Sequence, residues 1–101
     1  MFLDLFSQPK PILAMLHLKG TTRADIMQRA LREVDIYARC GVDAVIVEDY
    51  FGDETDVENV LALLSRERPQ VVVGVNVLDN FAKSYELAAQ YGAKFMQVDS
   101  I

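Results

Sequence analysis

The chain has 101 residues, 51% hydrophobic and 25% charged, the balance of one globular domain rather than of a disordered or low-complexity chain. Fifteen acidic against ten basic residues give a net charge of -5, which repels phosphate backbones and argues against nucleic acid as a partner. No apolar run reaches the roughly 18 to 20 residues of a membrane span, the opening MFLDLFSQPKP lacks the order of a signal peptide, and a single cysteine excludes an internal disulfide or a CxxC metal site, so the cytoplasm is the expected compartment.

Periodicity predicts strands and helices in strict alternation. The run Ile12-Leu13-Ala14-Met15-Leu16-His17 follows Pro11 and stops at Lys19-Gly20, as a buried strand bounded by turn signals does. Thr22 is placed to cap a helix with Asp25 in its first turn. Ile26, Met27, Ala30, Leu31, Val34, Tyr37 and Ala38 recur on one face of that helix. Gly41 is the expected stop, because glycine takes the left-handed conformation there without steric cost. Cys40 is expected to pack as a small residue at this helix end.

The unit repeats. Ala44-Val45-Ile46-Val47-Glu48 reads as a second strand, and Thr55 with Glu58 three residues later suggests a capping box for a helix with Val57, Val60, Leu61 and Leu64 on its inner face, ended by Pro69. Val71-Val72-Val73-Gly74-Val75-Asn76 is rich in β-branched residues and predicts a third strand. Asp79 or Asn80 then opens a helix carrying Phe81, Ala82, Tyr85, Ala88 and Ala89 inward, and Gly92 closes it. Lys94 to Asp99 is the expected fourth strand.

Nearly continuous apolar strands separated by amphipathic helices indicate a parallel sheet covered by helices. An internal repeat separates the open sheet from the barrel. Ala38-x-x-Gly41-Val42 leading to Val47-Glu48 matches Ala89-x-x-Gly92-Ala93 leading to Val98-Asp99. Equivalent alternate strands belong to a (β/α)8 barrel, whereas a doubly wound sheet reverses direction and breaks the equivalence. A complete barrel takes roughly 250 residues, so the expectation is α/β, with residues 1–101 forming the N-terminal half of a single TIM-barrel domain. The alternative is a small self-sufficient sheet of four parallel strands, whose apolar edges would invite association.

Alternation along each strand sorts the side chains. One face collects Met15 and His17, then Ala44, Ile46 and Glu48, then Val72, Gly74 and Asn76, then Phe95, Gln97 and Asp99. The other, with Ile12, Ala14, Leu16, Val45, Val47, Val71, Val73, Val75, Met96 and Val98, is wholly apolar, as packing under helices requires. His17, Glu48, Asn76 and Asp99 are therefore expected to converge at the C-terminal mouth, where barrel active sites lie. An imidazole and two carboxylates there suit proton transfer or a divalent metal. Glu48 stands out, since a carboxylate on the inner face is costly to desolvate without a partner.

Structural roles compete at each position. His17 could simply be a satisfied strand-end histidine, and Asn76 could tie off backbone groups. Gln97 suits a buried hydrogen-bonding role. Asp49, Asp53 and Asp79 follow strands and fit solvated loops or caps, and Lys19 could contact an anion. Gly20-Thr21-Thr22 lacks the spacing of a P-loop or a dinucleotide fingerprint, and no GxSxG or HExxH motif occurs.

Four ordered blocks, Lys10-Pro11-Ile12-Leu13-Ala14-Met15-Leu16-His17-Leu18, Gly41 to Tyr50 with Gly52-Asp53, Gly74-Val75-Asn76-Val77-Leu78 and Gly92-Ala93-Lys94-Phe95, resemble the BtpA/SgcQ family. The resemblance implies a barrel similar to phosphate-binding TIM barrels. It also implies kinship with proteins associated with photosystem I biogenesis at the thylakoid membrane, where attachment would be peripheral. Two departures stand out: Lys19-Gly20-Thr21-Thr22 replaces a proline-rich loop, and Asp49 stands where the family often has Asn.

The expected function is binding of a small polar or phosphorylated metabolite at the mouth. Glu48, His17 and Asp99 are the catalytic candidates, and Asn76, Asp49 and Lys19 the ligand-binding ones; neither a cofactor nor a metal is identified by the sequence. The alternative is a non-catalytic biogenesis or assembly factor acting through protein contacts. Self-association, or pairing with the other half of a barrel, is expected from the open strand edges.

Overall fold

A computed structural model describes residues 1–98. After a short 3-10 helix, Phe2–Leu5, the elements are β1 (Leu13–Leu16), α1 (Arg23–Arg39), β2 (Ala44–Glu48), α2 (Glu54–Glu67), β3 (Val73–Asn76), α3 (Phe81–Tyr91) and β4 (Phe95–Met96). All strand pairings are parallel and the order across the sheet is β1-β2-β3-β4. That order never reverses, and helices of consecutive units pack side by side. This is the arrangement of four successive strands of a (β/α)8 barrel, and it differs from a doubly wound sheet.

Register enforces the separation of faces. Leu16 lies beside Val47, Val47 beside Val75 and Val75 beside Met96. Leu16, Val47 and Val75 are fully buried, in one cluster with Ile26, Ala30 and Val34 of α1, Val57, Val60, Leu61 and Leu64 of α2 and Leu87 of α3. Each valine, leucine or isoleucine among them contributes about 1.5–3 kcal/mol on burial. Ile12 and Val98, expected in this row, are exposed. They lie outside β1 and β4.

Helix ends follow local chemistry. Thr22 Oγ1 accepts the Asp25 N–H at 3.0 Å, and Gly41 and Gly92 adopt φ of 82° and 74° at the ends of α1 and α3. The expected Thr55/Glu58 capping box is not the one that forms. Asp53 caps α2, accepting the Asp56 N–H at 3.0 Å while Asp56 accepts the Asp53 N–H at 3.0 Å. Arg23 of α1 explains the earlier start: its guanidinium donates to both Asp53 oxygens at 3.0 and 3.1 Å and to Asp56 at 2.8 Å. Hydrogen bonding to that guanidinium, reinforced by the Asp56 N–H, holds the Asp53 carboxyl well below the usual carboxylate range. Glu58 instead accepts the Tyr91 hydroxyl at 2.7 Å and ties α2 to α3. That hydrogen bond, with burial, raises the phenol above its ordinary value.

α3 also presents a different face from the one expected. Phe81 and Tyr85 are 60% and 64% exposed, and Ala82 and Ala89 are exposed too, while Ser84 and Leu87 are buried. Ser84 fixes this phase, because its Oγ accepts the Val77 N–H at 2.8 Å and donates to the Asn80 carbonyl at 3.2 Å. On α1, Ala38 is exposed. Cys40 lies at the end of that helix as expected, but exposed rather than packed. β3 and β4 are shorter than expected, although Val72 accepts the Val45 N–H at 3.0 Å, and Lys94 and Gln97 donate to the Val73 and Val75 carbonyls at 2.8 and 3.0 Å.

On the opposite face, Met15, Ile46, Gly74 and Phe95 share one row. The Phe95 ring lies over Gly74, where a Cβ would collide with it. Phe2 meets that ring edge-on at 5.1 Å, which brings the N-terminal 3-10 helix onto this face. Gly74→Ala is expected to cost about 1–3 kcal/mol, read from urea denaturation. In a Phe95→Leu background the loss should shrink; an equal loss there would show that the ring is not what the glycine accommodates.

Candidate functional site

The C-terminal ends of β1, β2 and β3 bring His17, Glu48 and Asn76 together. Glu48 and Asn76 are register partners on adjacent strands. The His17 Nε2 lies 3.3 Å from Glu48 Oε2. Glu48 is 7% exposed, whereas the His17 side chain is 42% exposed. The carboxylate is thus the inner member of the pair and the imidazole faces solvent. A buried carboxylate beside an imidazole fixes the ring's orientation, the arrangement used where histidine moves a proton.

Backbone strain contributes to this placement. Leu18, next to His17, has φ of 43°, in the left-handed region that residues with a Cβ avoid. Such a conformation costs about 1–3 kcal/mol. Burial of the Leu18 side chain in the helix-facing core offsets it by a comparable amount, about 1.5–3 kcal/mol. Leu18 thus shares the core side with Leu16, and His17 between them faces the mouth.

The remaining candidates divide. Asn76 is buried and its Nδ2 lies 3.4 Å from Gln97 Oε1, a long contact. Both line a cleft of about 160 Å³ with Asp79, Asn80, Phe81 and Ser84. Gln97 is exposed rather than buried. Asp49 Oδ1 accepts the Leu78 N–H at 2.9 Å, which fastens the loop after β2 to the loop after β3. Asp53 is the α2 cap, and Asp79 occupies a turn at φ 59° while Asn80 caps α3 through its Oδ1, 3.0 Å from the Lys83 N–H. Lys19 carries its ammonium 5.4 Å from the centroid of Phe51. Asp99 lies outside the described residues. Among the described residues no three His, Cys, Asp or Glu side chains are placed to hold a metal ion.

The loop before α1 is closed to anions at its capped positions. Asp25 Oδ2 accepts the Thr21 N–H at 2.9 Å, and Thr22 takes the Asp25 N–H. The Thr21 hydrogen bond comes first, and Arg29 second among the attractive groups, in holding the Asp25 carboxyl below its usual range.

Sequence reasoning assigned no site role to Tyr50 and Phe51. Tyr50 stacks on His17 with ring centroids 4.8 Å apart and planes at 29°, and Phe51 meets Tyr50 edge-on at 4.8 Å. Two adjacent aromatic residues directly after the polar end of a strand, in a strand-to-helix loop at the C-terminal side of the sheet, were the available signal.

Fold and mouth together define a βα-repeat protein of the kind that builds (β/α)8 barrels, with an imidazole and a carboxylate at the C-terminal ends of its strands. The chain is 31% identical over 113 aligned residues to photosystem I biogenesis protein BtpA of Synechocystis sp., a match covering 93% of this chain and 39% of that protein. It is 30% identical over 108 residues to an uncharacterized protein of Thermococcus kodakarensis, covering 89% of this chain and 41% of the other. The chain is therefore similar to BtpA-like proteins over nearly its whole length, and it spans about two fifths of theirs. No protein-family model matches it, and no solved structure matches it.

Asp49→Ala should remove the acceptor that pins Leu78 and cost about 1–3 kcal/mol, with faster hydrogen exchange at the Leu78 amide. Asp49→Asn retains an oxygen at that position and should restore the protection. Identical Leu78 exchange in all three proteins would count against the clamp.

Proposed function

We propose that the mouth binds a small polar or phosphorylated metabolite and that His17 moves a proton on it while Glu48 holds the imidazole in place. The carrying observation is the 3.3 Å contact between the exposed imidazole and the buried carboxylate. Within this reading Asn76 and Lys19 offer polar contacts to the ligand, Asp49 holds the neighbouring loop, and the protein acts in the cytoplasm. Among the described residues no helix is long and apolar enough to cross a membrane.

His17 is the only histidine, so its imidazole nitrogen resonances are unambiguous in an NMR titration. Inorganic phosphate, ribose 5-phosphate and small carboxylates are the first ligands to add. At least one should shift those resonances saturably, and Glu48→Gln should abolish the response while the amide spectrum keeps its native dispersion. An unchanged response in Glu48→Gln would remove the carboxylate from the proposed role.

A second observation favours a reading through protein contacts. Phe81 and Tyr85 project from α3, and a groove of about 320 Å³ bounded by Tyr85, Ala88, Ala89, Phe95 and Met96 runs between α3 and β4. Apolar surface of this kind, beside the edge strand β4, invites a covering element. A second copy of the chain, or a further set of βα units like those for which the relatives have length, would cover it. That the Synechocystis relative is a photosystem I biogenesis protein agrees with a contact-based function. Light scattering of the 101-residue chain at rising concentration should show association, diminished by Tyr85→Glu; a monomer at every concentration would argue against self-pairing.

A further inference from the structure

We infer that Tyr50 and Phe51 form a preorganised stacking platform and that the mouth takes a ligand bearing a planar nitrogen heterocycle, of nucleobase or nucleoside class. The inference rests on the reading of the mouth as a ligand site and narrows its chemistry. Tyr50 and Phe51 are 59% and 56% exposed. Tyr50 stacks on His17, and Phe51 lies to the side of that stack, its centroid 6.3 Å from that of His17, so both rings keep surface available to a ligand.

These rings are held rather than free. Asp49 before them is bound to the Leu78 N–H, and Asp53 after them is bound by Arg23 and by the α2 capping box. Gly52 passes so close to Asp56 that a Cβ there would lie 2.7 Å from its carboxylate oxygen. The segment Tyr50-Phe51-Gly52 is thus pinned at both ends and pressed on the α2 cap. A rigid aromatic pair loses little conformational entropy when it binds, which makes exposed rings of this kind effective anchors.

The neighbouring groups suit a heterocycle better than a polyanion. Arg23 is already engaged by Asp53 and Asp56, and the Lys19 ammonium lies over the Phe51 ring. Across Glu48 from His17, Asn76 and Gln97 bring carboxamides that both donate and accept, the pairing that ring nitrogens and exocyclic groups of a heterocycle require. Stacking on an aromatic side chain tolerates any base, because every base has a π face. The net charge of -5 further favours a neutral ring over a phosphate chain.

The test is isothermal titration of the 101-residue protein with adenosine, cytidine, ribose and ribose 5-phosphate, alongside NMR of the His17 imidazole. Both nucleosides should bind and shift the His17 signal, and ribose should do neither. Tyr50→Ala and Phe51→Ala should each weaken nucleoside binding about ten-fold or more, whereas Tyr85→Ala, an exposed ring on α3, should not. Tyr50→Trp should retain binding; because the protein has no tryptophan, its fluorescence should be quenched by nucleosides alone, which also reports that the variant folds. Binding of ribose 5-phosphate without nucleosides, or nucleoside binding indifferent to both rings, would overturn the platform and leave the metabolite reading standing. No response at His17 to nucleosides, phosphate, ribose 5-phosphate or small carboxylates would overturn both.

Discussion

The parallel pairing of β1, β2 and β3 in one fixed register is the constraint on which the molecule depends. Because side chains alternate with a period of two, a slip of one residue would drive Glu48 under the helices and Val47 onto the mouth face. The buried row Leu16, Val47 and Val75 opposes that slip, since each member would lose its packing against α1 and α2. The same register that buries this row delivers Glu48 beside Asn76, and carries His17 on the same face at the end of β1. Core and site are thus two consequences of one pairing.

Interhelical ties act on top of that pairing and set where the loops begin. Arg23 joins the start of α1 to the cap of α2, Arg68 forks onto Asp35 at 2.8 and 3.0 Å at the other end of the same helix pair, and Tyr91 reaches Glu58. Hydrogen bonding to Arg68 holds the Asp35 carboxyl below its usual range, and the same contact raises the guanidinium. Such exposed pairs contribute modestly to stability. Their clearer effect is geometric: with Asp53 fixed, the loop from Asp49 to Asp53 has no slack, and its aromatic residues are held over the mouth.

Much of this was legible in the sequence where one physical rule acts alone. Alternating faces identified Leu16, Val47, Val75, His17, Glu48 and Asn76, and the Thr22, Gly41 and Gly92 helix ends followed from local backbone chemistry. The misreadings arose where a distant partner decides between local options. Thr55 and Glu58 have the spacing of a capping box, but Arg23, thirty residues upstream of Asp53, favours the acid pair Asp53 and Asp56. On α3, size and apolarity suggested Phe81 and Tyr85, yet Ser84, Leu87, Ala88 and Tyr91 have equally good helical spacing, and the Ser84 bonds to Val77 and Asn80 select them. A small polar residue facing inward is hard to read without its partners.

The His17 and Glu48 pair is asymmetric because the fold holds its two members differently. Glu48 belongs to a strand whose five residues are all buried, so its carboxylate is held by packed surroundings. His17 stands one residue beyond β1, on the mouth face by alternation and directly before the left-handed turn at Leu18. The left-handed residue marks where the chain leaves the strand direction, while the Leu18 side chain stays on the core side with Leu16, opposite His17. A glycine at position 18 would relieve the backbone but surrender the buried side chain that anchors the turn. The sequence keeps leucine, and the exposed imidazole is thereby fixed from three sides: by the turn behind it, the carboxylate beneath it and the Tyr50 ring beside it.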